Sequence, residues 1–213
     1  MLMAPQNELG QFEFLRKTAL EKGAVDAKLI STDKIVIEDR VVLKCKVGCP
    51  NYGKTLMCPP YTPTAEEFRK IVKEYRYALF MKFKSCATAT PELSKYFSKA
   101  ETDPAIPPDI KEKLQKFWAD WKEDKLKILS LVLELEKAAM NKGYPLAVGL
   151  ISGYCQLCEK CTLDRSTCLH PNKARYSEDA VGVNVRATAK NAGIEITFPF
   201  EENPETFALL LID

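Results

Sequence analysis

The spacing Cys155-x2-Cys158-x2-Cys161-x6-Cys168 constrains this chain more than any other feature. Three thiols, each separated by two residues, form a tight coil that can present sulfur to three corners of one cubane. A fourth, more distant thiol can then reach the remaining iron. Zinc sites more often use two C-x2-C knuckles held apart by a longer stretch. The run here does not divide that way, so the pattern favours a 4Fe–4S cluster, with zinc as the alternative. Gln156, Glu159, Lys160 and Asp164 interrupt the thiols with polar groups, which argues against cysteines that merely pack as small hydrophobes.

A second set lies in the first half. Cys45-x3-Cys49-x8-Cys58 offers three thiols in a stretch containing Gly48, Pro50, Gly53, Pro59 and Pro60, which predicts loop. Three donors are one short of a closed site. The fourth could be Cys86, Cys168 or an external ligand. A closed cluster would suit electron transfer, whereas an open iron could bind a small substrate as a Lewis acid. Cys168 could complete either set, because in two-cluster ferredoxins the last cysteine of such a run serves the other cluster. The single histidine, His170, and Glu178 are candidate proton-handling groups for the open-iron case. Lys44, Lys46, Lys54, Lys160, Arg165, Lys173 and Arg175 could offset the charge of an anionic cluster or simply be solvated. Tyr52, Tyr61 and Tyr154 could shield it from water or simply pack.

The surroundings of these thiols predict a reducing compartment. Met1 to Gln6 lack the basic region and apolar core of a signal peptide, and no apolar run reaches membrane-spanning length. A cytoplasmic protein is expected, in which clustered cysteines bind metal more often than they form disulfides. A net charge of +2 without a basic stripe argues against nucleic acid. No glycine-rich nucleotide motif is present. A redox partner protein is the expected interaction.

Periodicity outlines one domain over residues 1–213. Helices are predicted over 7–22, from a Thr64 cap with Glu67 completing a capping box, over 109–141, and over 177–192 with a break near Gly182. Strands are predicted at 27–30, 77–83, 145–151, 194–197 and 207–212. Ile35–Ile37 and Val41–Leu43 also favour strands. Residues 87–108 hold four prolines and predict an excursion or lid with a short helix at 91–99. The alternation implies an α/β or α+β fold, a mixed sheet flanked by helices, with cysteine-rich loops at 45–63 and 153–175.

Two stretches, CKVGCPNYGKTLMCPPYTP at 45–63 and GYCQLCEKCTLDRSTCLHPNKAR at 153–175, resemble a family of predicted metal-binding, cysteine-rich proteins of anaerobic bacteria and archaea. The similarity continues through Glu178, Gly182, Val183, Thr188 and Gly193. It implies metal or iron–sulfur binding through both cysteine blocks, and it implies no particular reaction. Cys86 lies outside the pattern.

Overall fold

The structure is a computed structural model. It describes residues 6–97, 99, 103–197 and 202–213. The expectation about the extreme N-terminus and part of the 87–108 excursion therefore lie outside the described residues.

Four strands form one sheet: β1 (Asp26–Ser31), β2 (Tyr77–Lys84), β3 (Val148–Ile151) and β4 (Glu205–Leu211), in the order β1-β2-β4-β3. All three ladders are antiparallel. Among the described residues, parallel pairing is confined to an isolated bridge between Ile151 and Ser177. The helices are α1 (Gln6–Leu9), α2 (Glu13–Glu21), α3 (Asp39–Gly48), α4 (Ala65–Val72), α5 (Pro91–Ser94), α6 (Pro108–Asn141) and α7 (Val185–Ala192). The expected α+β arrangement of a sheet flanked by helices holds.

Alternation along β2 explains why the sheet is covered on both faces. Tyr77, Leu79, Met81 and Phe83 join a core with Phe12 and Leu15 from the N-terminal helical segment and with Ile128, Val132 and Leu135 of α6. Ala78 and Phe80 face the other way, onto Phe68 and Val72 of α4 and Ala189 of α7. Side chains of a strand point alternately to opposite faces, so a strand apolar at both parities must be buried twice.

Helix α6 runs about 50 Å at 1.5 Å per residue, long enough to serve two cores. Its second half lies on the sheet. Ile110, Leu114 and Phe117 of its first half instead pack on Ala87, Ala89, Leu93 and Ile106, so the proline-rich excursion has a small core of its own. The expected capping box is present at α4: Thr64 Oγ1 accepts from the Glu67 amide at 3.2 Å, and Glu67 Oε2 accepts from the Thr64 amide at 2.8 Å.

Several expectations change. Val41–Leu43 is not a strand but part of α3, and Ile35–Ile37 contributes only the isolated bridge Ile37–Val183. The β-branched run misleads because propensity is a weak prior beside tertiary anchoring. Here the Glu38 amide donates to the Gly182 carbonyl at 2.8 Å and Val41 is buried. Residues 194–197 make no strand, although Ile194 is buried under α7. The 177–192 stretch is a 3₁₀ turn at Asp179–Val181, a left-handed Gly182, and then α7.

Candidate metal centre

The two cysteine segments come together in space. Around Cys155 stand Cys158, Cys161 and Cys168, each near enough to disfavour its ionisation. Cys49 and Cys58 stand in the same relation to Cys45. Cys58 also feels Cys161, which joins the two sets. Cys155, Cys158, Cys161 and Cys168 line one cavity of about 380 Å³, together with His170 and with Lys54 and Thr55 from the first segment. Among the described residues, no group of three or more His, Cys, Asp and Glu side chains is closed around a metal-ion position. The thiols gather around a cavity rather than a point.

Local structure explains how each set is held. Cys45 rides on α3 and Cys49 caps its C-terminus, so the first set is partly helical rather than all loop. Its remainder is a chain of tight turns, with the Tyr52 amide donating to Cys49 O, Cys58 to Thr55 O, and Tyr61 to Cys58 O. The second set is loop throughout, apart from a 3₁₀ turn at Arg165–Thr167 that Asp164 caps through the Ser166 amide at 2.9 Å. Arg165 fastens this loop to the first segment. Its Nη2 donates to Tyr61 O at 2.9 Å and to Tyr176 Oη at 3.0 Å. Arg175 leaves the cavity and pairs with Glu136 of α6, with Nε donating to Oε1 at 2.6 Å.

The thiols are shielded. Burial, with the Asp179 carboxylate and the neighbouring thiols adding, pushes the Cys45 thiol up to about 11. Burial also raises Cys58 and Cys155. Bound metal reverses this, because a coordinating thiol is deprotonated outright. The donor set fits such a group: all-sulfur sites select soft metals and iron–sulfur clusters. The Thr55 hydroxyl is buried in the same cavity beside the Cys58 thiol, and its Oγ1 has no nitrogen or oxygen partner. A hydroxyl so placed can donate to a thiolate or cluster sulfur, the kind of outer hydrogen bond that tunes these centres.

A family model matches residues 28–212, a span that takes in both cysteine segments. The chain belongs to the DUF2284 family, described as predicted metal-binding proteins. No curated protein and no solved structure matches it. In this DUF2284 chain Cys86 belongs to neither thiol set. It is exposed beyond β2, and its Sγ donates to Asp124 Oδ1 at 3.2 Å. His170 shares the cavity with the thiols, while its carbonyl accepts from the Lys173 and Ala174 amides. No helix among the described residues is long and apolar enough to cross a membrane.

Sequence reasoning missed a second feature of the DUF2284 chain. Lys125 of α6 is buried, with Nζ 2.6 Å from Thr206 Oγ1 and 4.7 Å from the Trp121 ring centroid. Glu178 is 1 % exposed, and its Oε1 has no hydrogen-bond partner. Burial drives the Glu178 carboxyl up and the Lys125 ammonium down, and each opposes the other's shift. A signal was available: Lys125 falls four residues after Trp121 and three before Ile128, on the apolar stripe of α6. A lysine on a core-facing stripe departs from the ordinary pattern of burial.

Proposed function

We propose that the chain is an iron–sulfur protein carrying one or two 4Fe–4S clusters, with an electron-transfer or redox-accessory role. One cluster is assigned to Cys155, Cys158, Cys161 and Cys168. A second is assigned to Cys45, Cys49 and Cys58. The observation that carries this reading is the convergence of the four C-terminal thiols on one cavity, with Cys58 electrostatically in reach of Cys161. The spacing of the thiols and their predicted metal-binding family support it. Bound clusters would supply one-electron redox chemistry. The protein's own part is to hold the sulfurs and to offer the Thr55 hydroxyl to sulfur.

A second reading has its own observation. Cys45 lies beside Asp179, which also lines a cleft of about 610 Å³. A three-cysteine cluster next to such a cleft suits an enzyme that binds a small substrate at an open iron. Zinc held by the same thiols in a non-catalytic module is the outcome against which both readings are tested.

Anaerobic purification followed by iron, sulfide and zinc analysis tests the proposal. About eight irons per chain supports two cubanes and about four supports one. Zinc without acid-labile sulfide overturns it. Electron paramagnetic resonance of the reduced protein is expected to show cluster signals, and a silent iron-free sample would count against them.

A further inference from the structure

The cavity that gathers the C-terminal thiols reaches the surface. Lys54 lines it from the first cysteine segment, and Tyr154, Lys160 and Leu163 line it from the second; all four are exposed. The thiols of this set are only half-exposed. A surface approaching this face therefore meets ammonium groups and apolar side chains before it meets sulfur.

Positive charge is concentrated at this mouth. Residues 45–63 and 153–175 together hold six Lys and Arg side chains against two Asp and Glu, whereas the whole chain holds 31 against 29. The remainder of the molecule is therefore net negative. Asp164 is turned onto its own loop, where the Ser166 amide and Oγ donate to it at 2.9 and 2.8 Å. Arg165 and Arg175 are likewise engaged, by Tyr61 and Tyr176 and by Glu136. Among the described residues Lys54, Lys160 and Lys173 form no ion pair. A bound cluster is anionic and offsets part of the excess, but the thiols that hold it are set deeper than the lysines.

The apolar side chains at the mouth are placed at some cost. Leu163 stands at φ +59°, in the left-handed region that a leucine rarely adopts, and its side chain faces water. Leu169, between Cys168 and His170, is 71 % exposed. A few apolar groups within a charged rim are the anatomy of a protein interface. A lipid surface is ordinarily met by an amphipathic helix with one continuous apolar face. The side chains here stand on turns and loop around a concave opening, which suits a protein instead.

We propose that this mouth is the docking face for a redox protein with an acidic surface, whose carboxylates meet Lys54 and Lys160 and whose apolar centre covers Tyr154, Leu163 and Leu169. That the partner is a redox protein rests on the proposed function; that it is an acidic protein rests on the charge and exposure of this face. Complementary charge steers such encounters and sets their orientation more than it adds affinity, as a brief electron-transfer contact requires.

Zero-length carbodiimide cross-linking, read by peptide mass spectrometry, tests this on the anaerobically isolated protein with its metal. The probes are an acidic flavodoxin and, as the opposite charge, basic cytochrome c. At low salt flavodoxin is expected to link through Lys54, Lys160 and Lys173, about tenfold above cytochrome c, and to lose these links at about 0.5 M salt. Lys54→Glu should cut the yield about fivefold. Lys111→Glu makes the same change of charge away from the mouth, beside Tyr96 and Trp118, and should leave the yield unchanged. Leu169→Ser should lower the yield without altering its salt dependence. Variants are compared at equal metal content, so that lost metal does not pass as lost docking. Links spread evenly over the surface lysines, or equal loss in Lys54→Glu and Lys111→Glu, overturn the proposal, because bulk charge then explains the contact. So does binding to anionic phospholipid vesicles without flavodoxin links at the mouth. A zinc-loaded, iron-free protein that still links through Lys54 and Lys160 would remove the redox role and leave the acidic docking face standing. A cluster-bearing protein that fails to link would keep the function and sink this face.

Discussion

The two thiol sets are built differently. The first starts on a helix: α3 carries Cys45 and is pinned by Val41 and by the Glu38–Gly182 backbone bond. It continues through tight turns to buried Cys58 and borders the charged cleft. The second has no helix beneath it. Its four thiols share a loop that depends on one 3₁₀ turn, the Asp164 cap and the Arg165 and Arg175 contacts. A set on a rigid element can leave a position open and still keep its geometry, whereas a set on a loop gains most of its order from closing around its metal. Under the proposed function, the first set would be the one to take substrate and the second the closed electron-carrying centre.

The largest expected effect comes from removing a thiol of the loop set. Cys158→Ser should strip that set of its metal and lose its cluster signal, while the signal of the first set persists. Iron and sulfide analysis checks this alongside resonance spectra. Cys168→Ser separates the sets further. If the loop-set signal survives it unchanged, Cys168 serves the first set, and the contrast between open and closed sites reverses.

Next in size is the anchor of the helical set. Gly182 sits at φ +86°, and a Cβ there would lie 2.6 Å from Ala65 Cβ and 3.3 Å from Glu38 O. Gly182→Ala combines a left-handed backbone with a clash against two elements. It should cost about 2–4 kcal/mol in denaturant unfolding. If metal loss accompanies it, the first set should lose metal before the second, because Gly182 holds the start of α3.

These two cases show where the sequence was legible. The loop set could be read because covalent spacing alone brings Cys155, Cys158 and Cys161 together. The strand at 77–83, the Thr64 capping box and the long helix were legible for similar reasons, since local periodicity and local hydrogen bonds decide them. Helix α3 was not, because Val41 and Val42 favour strand and only the distant Gly182 carbonyl settles the chain there. The Lys125–Glu178 pair was half legible. Glu178 stood out as a candidate acid, but its partner lies 53 positions earlier, and only the fold brings the two together.

The buried and coupled Glu178 and Lys125 give a pH signature that the loop set lacks. Glu178 is raised in the fold from 4.5 to about 8. The folded state therefore binds its proton more tightly than the unfolded state does. The stability this contributes is complete below 4.5 and is lost as pH rises through about 8. Glu178→Gln removes the dependence. Measured by unfolding at constant metal content, the variant should gain on the wild-type protein between pH 5 and 8, by at most about 1.4 kcal/mol per pH unit. Lys125 is lowered, so its own contribution rises with pH above the Glu178 window and does not mask the effect. A flat difference between the two proteins would mean that Glu178 is not a buried neutral acid.

The smallest effect expected is at the seam between the sets. Arg165 is exposed, and its bonds to Tyr61 O and Tyr176 Oη are partly screened by water. Arg165→Ala should therefore cost only about 1 kcal/mol of stability. Its effect on metal retention should be uneven. The loop set relies on this tie to the first segment, while Cys45 and Cys49 keep their helix. Under chelator challenge the loop set of Arg165→Ala should release metal several-fold faster than in the wild-type protein, and the first set should release it at an unchanged rate. Arg165→Lys keeps the charge but cannot hold both oxygens in the same fork, so it should fall between the two. Equal acceleration of both sets would show that they open as one unit. In that case the helix under Cys45 would give it no independence, and the division into a substrate-facing and an electron-carrying set would lose its structural basis.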